Sequence, residues 1–189
     1  MPPLSSAARS WLLGLARQAV EAAGRRSRPP SVDPPGNLSL ADRSELERPR
    51  AVFVTLLCDG RLRGCVGHTA FDTPLARVVV KTAEAAARCD SRFSPIAPEE
   101  LPDLEVEISI LSPFEPVEPG KIQVGTHGLM VHRGGSRGLL LPQVAWGRNW
   151  SPERFLEETC RKAGLPADAW RHGATVEAFT AEVIGEREQ

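Results

Sequence analysis

Apolar residues recur with three spacings along this chain, and each spacing predicts a different kind of element. Over 5–23, Leu12, Leu15, Ala16 and Ala19 fall on one helical stripe. Ser5 or Ser6 stands where a cap is needed and Gly24 ends the run, so a helix is predicted. Residues 74–88 have the same character, with Thr73 as N-cap and Pro74 at the first helical position. Residues 152–163 repeat it, with Ser151 as cap, Pro152 next and Gly164 closing the helix.

Alternation replaces helical spacing elsewhere. "LEVEISIL" (104–111) puts Leu104, Val106, Ile108 and Ile110 on one strand face, and Glu105, Glu107 and Ser109 on the other. "AVFVTLL" is a β-branched run that ends at Asp59-Gly60, a type I′ turn signal, and "LRGCVG" (62–67) is its return strand. "GTHGLMVH", "RGGSRG" and "LLLP" form a second hairpin with a glycine-rich turn, and "TVEAFTAEVI" is a final strand. Residues 25–50 are polar and proline-rich, which predicts an extended connection running over the core. Strands joined by hairpins and single helices give an α+β fold with mostly antiparallel pairing.

A two-residue turn sets an expected register for the first hairpin. Leu57 faces Leu62, Leu56 faces Arg63 and Val54 faces Cys65. Arg63 and Cys65 then share a face with Val52, Val54 and Leu56, while Phe53, Leu62 and Val66 lie opposite. A bulge at Gly64 is the specific way this register would fail. A guanidinium in so apolar a strand needs a carboxylate, a carbonyl or a ligand. The expectation is that a ligand is the missing acceptor and that one guanidinium nitrogen is left open. Gly64 and Gly67 weaken a strand and mark a close approach by another backbone or a ligand. Arg63 would favour the Cys65 thiolate, giving a small reactive floor. Cys65 as a small buried hydrophobe is the alternative.

Composition narrows the function. The chain has 189 residues, 41% of them apolar and 25% charged, with a net charge of −1. That balance gives no basis for a broad nucleic-acid or membrane surface, although 20 of the 23 basic residues are arginine. Cys58, Cys65, Cys89 and Cys160 are scattered singly, and no Cys/His spacing points to a metal site. No cofactor is expected. Scattered free cysteines suit a reducing compartment, and the apolar run Trp11–Ala16 is too short for a leader or a span, so a cytoplasmic location is expected.

Several other residues carry candidate chemistry. His127 in "GTHGL" is the first choice of general base if Cys65 is a nucleophile, with a structural role as the alternative. His68 directly follows "LRGCVG" and leaves the Cys65 face, so it ranks second. Asp90 and Arg92 in "DSRF" make either a charged clamp on a substrate or an ion pair that ties down their loop. Glu105 and Glu107 are either coupled carboxylates or a solvated face. Arg133 and Arg137 bracket a flexible tip, and Trp146 and Trp150 either pack or mark a partner surface.

"DGRLRGCVG" (59–67) with "VFVTL" before it resembles the signature of the AMMECR domain family. "DSRF" (90–93), "EVEISILSP" (105–113), "GTHGL" (125–129), "GLLLPQVA" (138–145) and "FLEETCRKAGLPADAW" (155–170) follow in that family's order. The prokaryotic branch, AmmeMemoRadiSam system protein A, is the closest match. Val66, Ser91, Ser94 and Ala51 depart from the usual pattern without removing a charged or thiol group.

The resemblance implies one AMMECR-type domain over 1–189 with two unequal lobes, each an antiparallel sheet flanked by helices. The larger lobe would come from the N- and C-terminal parts and the smaller from a middle insertion, with the signature facing a cleft between them. It also implies Memo-like and radical SAM partners. The first functional expectation is a cleft protein acting on an unidentified substrate, with Cys65 and His127 catalytic. Arg63, Gly64, Gly67, His68, Asp90, Arg92 and Glu107 would bind the substrate. The alternative is a non-catalytic ligand- or protein-binding module, and nucleic-acid binding ranks last.

Overall fold

A computed structural model describes residues 4–188. The chain forms two compact units, Met1–Ile110 with Glu182–Gln189, and Leu111–Ala181. The fold is α+β, as expected, with helices accompanying two four-stranded sheets.

The first unit begins with α1 (Ser6–Gly24). The Ser5 hydroxyl accepts the Ala8 N–H, and Ala8, Leu12, Leu15, Ala16 and Ala19 are buried. Strand β1 (Ala51–Cys58) pairs antiparallel with β2 (Arg61–His68) through a turn in which Asp59 and Gly60 both have positive φ, as a type I′ turn requires. Helix α3 (Leu75–Arg88) and strand β3 (Leu104–Leu111) follow. Strand β8 (Ala181–Gly185) completes the sheet, whose order is β2-β1-β3-β8. Val52, Val54 and Leu56 of β1, alternate residues of β3, and the inner faces of α1 and α3 form one apolar core. Burial of this continuous surface is the main driving force for the unit.

Two local expectations change here. Residues 25–50 contain a helix, α2 (Leu40–Glu47), capped by Ser39, whose hydroxyl accepts the Asp42 N–H. Its apolar anchor is the single buried Leu46, too little to register as a periodic stripe. Helix α3 starts one residue late. Pro74 occupies the cap position, because the Leu75 N–H donates to Arg48 O and the Arg50 N–H donates to Thr73 O, which holds residue 74 extended.

The second unit holds the sheet β4-β7-β5-β6. β4 is Glu115–Pro116, β5 is Gly128–Arg133, β6 is Ser136–Leu140 and β7 is Thr175–Phe179, all paired antiparallel. Helix α5 (Pro152–Lys162) packs Phe155, Leu156 and Cys160 into its own core with Leu129 and Val131. The chain turns at Gly164, where φ is +71°. A short helix, α4 (Pro142–Trp146), was not legible from the sequence. The final strand expected over 175–184 is two strands, β7 and β8, in different sheets. Their alternation runs on through Thr180, so periodicity alone does not reveal the break.

Candidate functional site

The hairpin register departs from expectation at one point, and the site follows from it. Leu57 does face Leu62. A bulge then intervenes, so Leu56 faces Gly64, Thr55 faces Cys65 and Val54 faces Val66. One extra residue in β2 reverses the parity of everything beyond it. Cys65 therefore lies on the half-buried face with Thr55, away from the core face of Val52, Val54 and Leu56.

The glycines are explained by the protein itself. A Cβ on Gly64 would lie 2.5 Å from the Ala86 carbonyl oxygen, so Gly64 lets α3 pass close to β2. A Cβ on Gly67 would lie 2.3 Å from the Phe53 ring, which covers that position from the neighbouring strand.

Arg63 also departs from expectation, because all three of its guanidinium nitrogens find protein acceptors. Nε donates to Glu100 Oε1 at 2.7 Å, Nη2 to Glu100 Oε2 at 3.0 Å and Nη1 to Ser94 O at 3.0 Å. The side chain is 16% exposed, and its Cζ lies 5.8 Å from the Phe93 ring centroid. A bidentate fork on a carboxylate is a strong, orienting contact. It holds the Glu100 carboxyl below its ordinary value, together with the Ala97 N–H that donates to Glu100 Oε2. Arg63 is thus a scaffold residue that ties β2 to the loop 94–100.

The "DSRF" loop runs along the same strand. Strand β2 is the end strand of its sheet. The Cys65 N–H donates to Asp90 Oδ2 at 2.8 Å, and Arg92 Nη2 donates to Cys65 O at 3.5 Å. Two side chains thus serve the edge groups that a neighbouring strand would otherwise serve. Because the Cys65 N–H points outward, Thr55 and Cys65 are a pair without mutual backbone bonds, the kind that brings side chains closest. Accordingly, Thr55 Oγ1 donates to the Cys65 sulfur at 3.4 Å.

Asp90 is the centre of this arrangement. It is 9% exposed and accepts from the Arg92 N–H at 3.1 Å, Arg92 Nε at 2.9 Å and Arg92 Nη2 at 2.6 Å, besides Cys65. The Arg92 side chain, more than the Cys65 and Arg92 backbone amides, holds the carboxyl well below the usual range against the cost of burial. Of the two expected roles, the contacts are those of an ion pair that ties its loop to β2.

Of the two expectations for the thiol, the electrostatics favour the unactivated one. Burial pushes the Cys65 thiol up, and the Asp90 and Glu107 carboxylates act in the same direction. The Thr55 hydrogen bond and the Arg92 charge oppose this without reversing it. The cation acting on the sulfur is Arg92, not Arg63, and the net direction favours the neutral thiol.

The remaining candidates are dispersed. Glu105 pairs with Arg187, and both it and Glu107 are half-buried rather than solvated. His68 Nε2 meets Asp72 Oδ1 at 2.8 Å, beside the Thr73 turn. His127 belongs to the second unit, where its Nδ1 accepts the Gln123 N–H at 3.2 Å. Arg133 donates to His172 O at 3.0 Å. Trp150 packs near Phe155, while Trp146 is 69% exposed. Among the described residues, no group of three histidine, cysteine or acidic side chains is placed to hold a metal, and no helix is long and apolar enough to cross a membrane.

The structure therefore assembles Arg63, Cys65, Asp90, Arg92 and Glu107 in the first unit. It adds Thr55, Phe93, Ser94 and Glu100, which the sequence alone does not assign to the site. Thr55 had a signal, as the one hydroxyl in the run "AVFVTLL". Glu100 had none, since its role rests on a contact 37 residues away.

Comparison with known proteins gives the same fold and sequence pattern elsewhere. A protein of Methanothermobacter thermautotrophicus is 43% identical over 194 aligned positions, covering 97% of each chain. A Thermococcus kodakarensis protein is also 43% identical, covering 93% of this chain and 89% of its own. The crystal structure of an uncharacterized Pyrococcus horikoshii protein superposes with a TM-score of 0.86 at 38% identity, covering 95% of this chain and 92% of that one. The AMMECR1 family profile matches residues 13–184, and the chain belongs to the AMMECR1 family.

Proposed function

We propose that the protein is a non-catalytic binding module, and that the surface around Cys65 and Arg92 recognises a ligand or a partner protein. The observation that carries this reading is the state of the thiol. Burial, with two carboxylates assisting, raises Cys65 away from thiolate, and its side-chain hydrogen bond comes from the Thr55 hydroxyl rather than from a base. Nucleophilic catalysis by cysteine requires the opposite bias. The Asp90–Arg92 pair suits a fixed recognition element. Asp90 is buried, whereas the Arg92 side chain is 53% exposed, with Nε and Nη2 committed to Asp90 and its Cζ 5.5 Å from the Phe93 ring centroid.

The partners we propose are a Memo-like protein and a radical SAM protein, as in the AmmeMemoRadiSam system, and the setting is the cytoplasm. This reading rests on the resemblance of "DGRLRGCVG", "DSRF" and "GTHGL" to the prokaryotic branch of the family. Co-expression with both proteins, followed by affinity capture and native mass spectrometry, tests it. Capture of a partner or a small molecule should persist in Cys65→Ser and fall about tenfold in Arg92→Ala, the loss expected for one charge-assisted contact. Equal capture by wild type and Arg92→Ala would contradict the reading.

A further inference from the structure

The "GTHGL" segment belongs to the second unit. It borders a surface cavity of about 450 Å³ within that unit. Phe179, Ala178, Val117, Pro113 and Pro116 supply apolar walls, and Lys121, His127 and Glu115 supply charge and hydrogen bonding. Its volume falls within the range of small-molecule sites, and apolar walls with a few polar groups are the lining such sites use.

The cavity has a built wall. A Cβ on Gly128 would lie 2.3 Å from the Phe179 ring, so the glycine makes room for that ring. Phe114 holds the ring from its edge, with centroids 5.3 Å apart at 69°. The neighbouring His127 has a fixed tautomer. Its Nδ1 accepts a backbone N–H, so the neutral ring carries its proton on Nε2 and offers a donor there. Lys121 adds a positive charge. Its contact with Glu118 is 3.1 Å long between two largely exposed side chains, and such a pair is easily exchanged for another anion. Glu115 places a negative charge on the same cavity and disfavours a second anionic group on the ligand.

We infer that this cavity binds a small organic monocarboxylate with a planar apolar body, its carboxylate on Lys121 and His127 and its body against Phe179. The site lies beyond the Cys65 reading and does not depend on it.

Benzoate is the probe, with benzamide as its uncharged counterpart and isophthalate as its doubly charged one. The readout is NMR of the His127 and Phe179 ring signals of the full chain. Benzoate should produce saturable shifts, benzamide should bind at least about tenfold more weakly, and isophthalate should also bind more weakly than benzoate. Lys121→Met should weaken benzoate about tenfold while leaving the fold intact, because Lys121 is exposed. Gly128→Ala should displace the Phe179 ring and abolish the shifts. Equal shifts from benzoate and benzamide, no saturable benzoate shift, or an unchanged benzoate affinity in Lys121→Met would each overturn the assignment.

Discussion

The surroundings of Cys65 and the cavity beside His127 both gather charged side chains, but they use them in opposite ways. Around Cys65 the charges are spent inside the protein. Each of the three Arg63 guanidinium nitrogens donates to Glu100 or Ser94, and Asp90 accepts four hydrogen bonds. Beside His127, Lys121 pairs with an exposed glutamate among the described residues, and the imidazole accepts one backbone amide. Satisfied buried groups fix a backbone, whereas loosely held groups on an apolar cavity remain available to a ligand. Motif residues therefore do not all do the same work. Within "LRGC" and "DSRF", Arg63 and Asp90 are engaged inside the protein, whereas the Arg92 side chain is 53% exposed.

Substitutions should separate the two regions by stability. The largest loss is expected for Asp90→Ala, which strands the Cys65 N–H and the Arg92 guanidinium, at about 3 kcal/mol. Gly64→Ala should approach this, at about 2–3 kcal/mol, because the obstacle is the Ala86 backbone oxygen. Arg63→Met should cost about 2 kcal/mol by leaving Glu100 unpaired, since it removes only one member of the pair. Denaturant melts of the three variants check this order. If Arg63→Met melts like wild type, its contacts with Glu100 and Ser94 contribute nothing to the scaffold. Lys121→Met should shift stability by less than about 0.5 kcal/mol, which would confine its effect to binding.

Acid should sharpen the contrast. The carboxyls of Asp90 and Glu100 are both held below their ordinary values, chiefly by Arg92 and Arg63 respectively. A depressed folded-state value gives stability that is complete above the unfolded-state value and is lost as pH falls toward the folded-state one. The thermal midpoint should therefore fall as pH drops below about 4.5, where unfolded glutamate and then aspartate begin to take up protons. Asp90→Asn should lower the midpoint at neutral pH and flatten its slope in acid. An unchanged slope would mean that Asp90 carries no pH-dependent stabilisation.

How far the sequence could anticipate this depended on the range of the contact. The helical stripe on α1, the cap of α5, the Asp59-Gly60 turn and the alternation of β3 are local patterns, and each was readable. Gly64 marked where a bulge would fall, but nothing in "RLRGCVG" decided that one is present, and one residue was enough to move Cys65 to the other face. The partners of Arg63 were out of reach for a related reason. Burial made an acceptor necessary, but its identity depended on how the loop 94–100 packs back on β2. The sequence could thus state the requirement for a partner without deciding between ligand and protein. The split of residues 175–185 between two sheets was equally hidden, since alternation serves either sheet.

The central claim is that Cys65 is a held, neutral thiol and not an activated nucleophile. Cys89, which is exposed on the same chain, provides an internal reference. Iodoacetamide alkylation of the folded protein, followed by peptide mass spectrometry across a pH series, reads both rates at once. The account predicts that Cys65 reacts more slowly than Cys89 at neutral pH and that its rate rises only at higher pH, because burial raises the thiol. A Cys65 that reacts faster than Cys89, with a midpoint below neutrality, would contradict the account and restore the nucleophile.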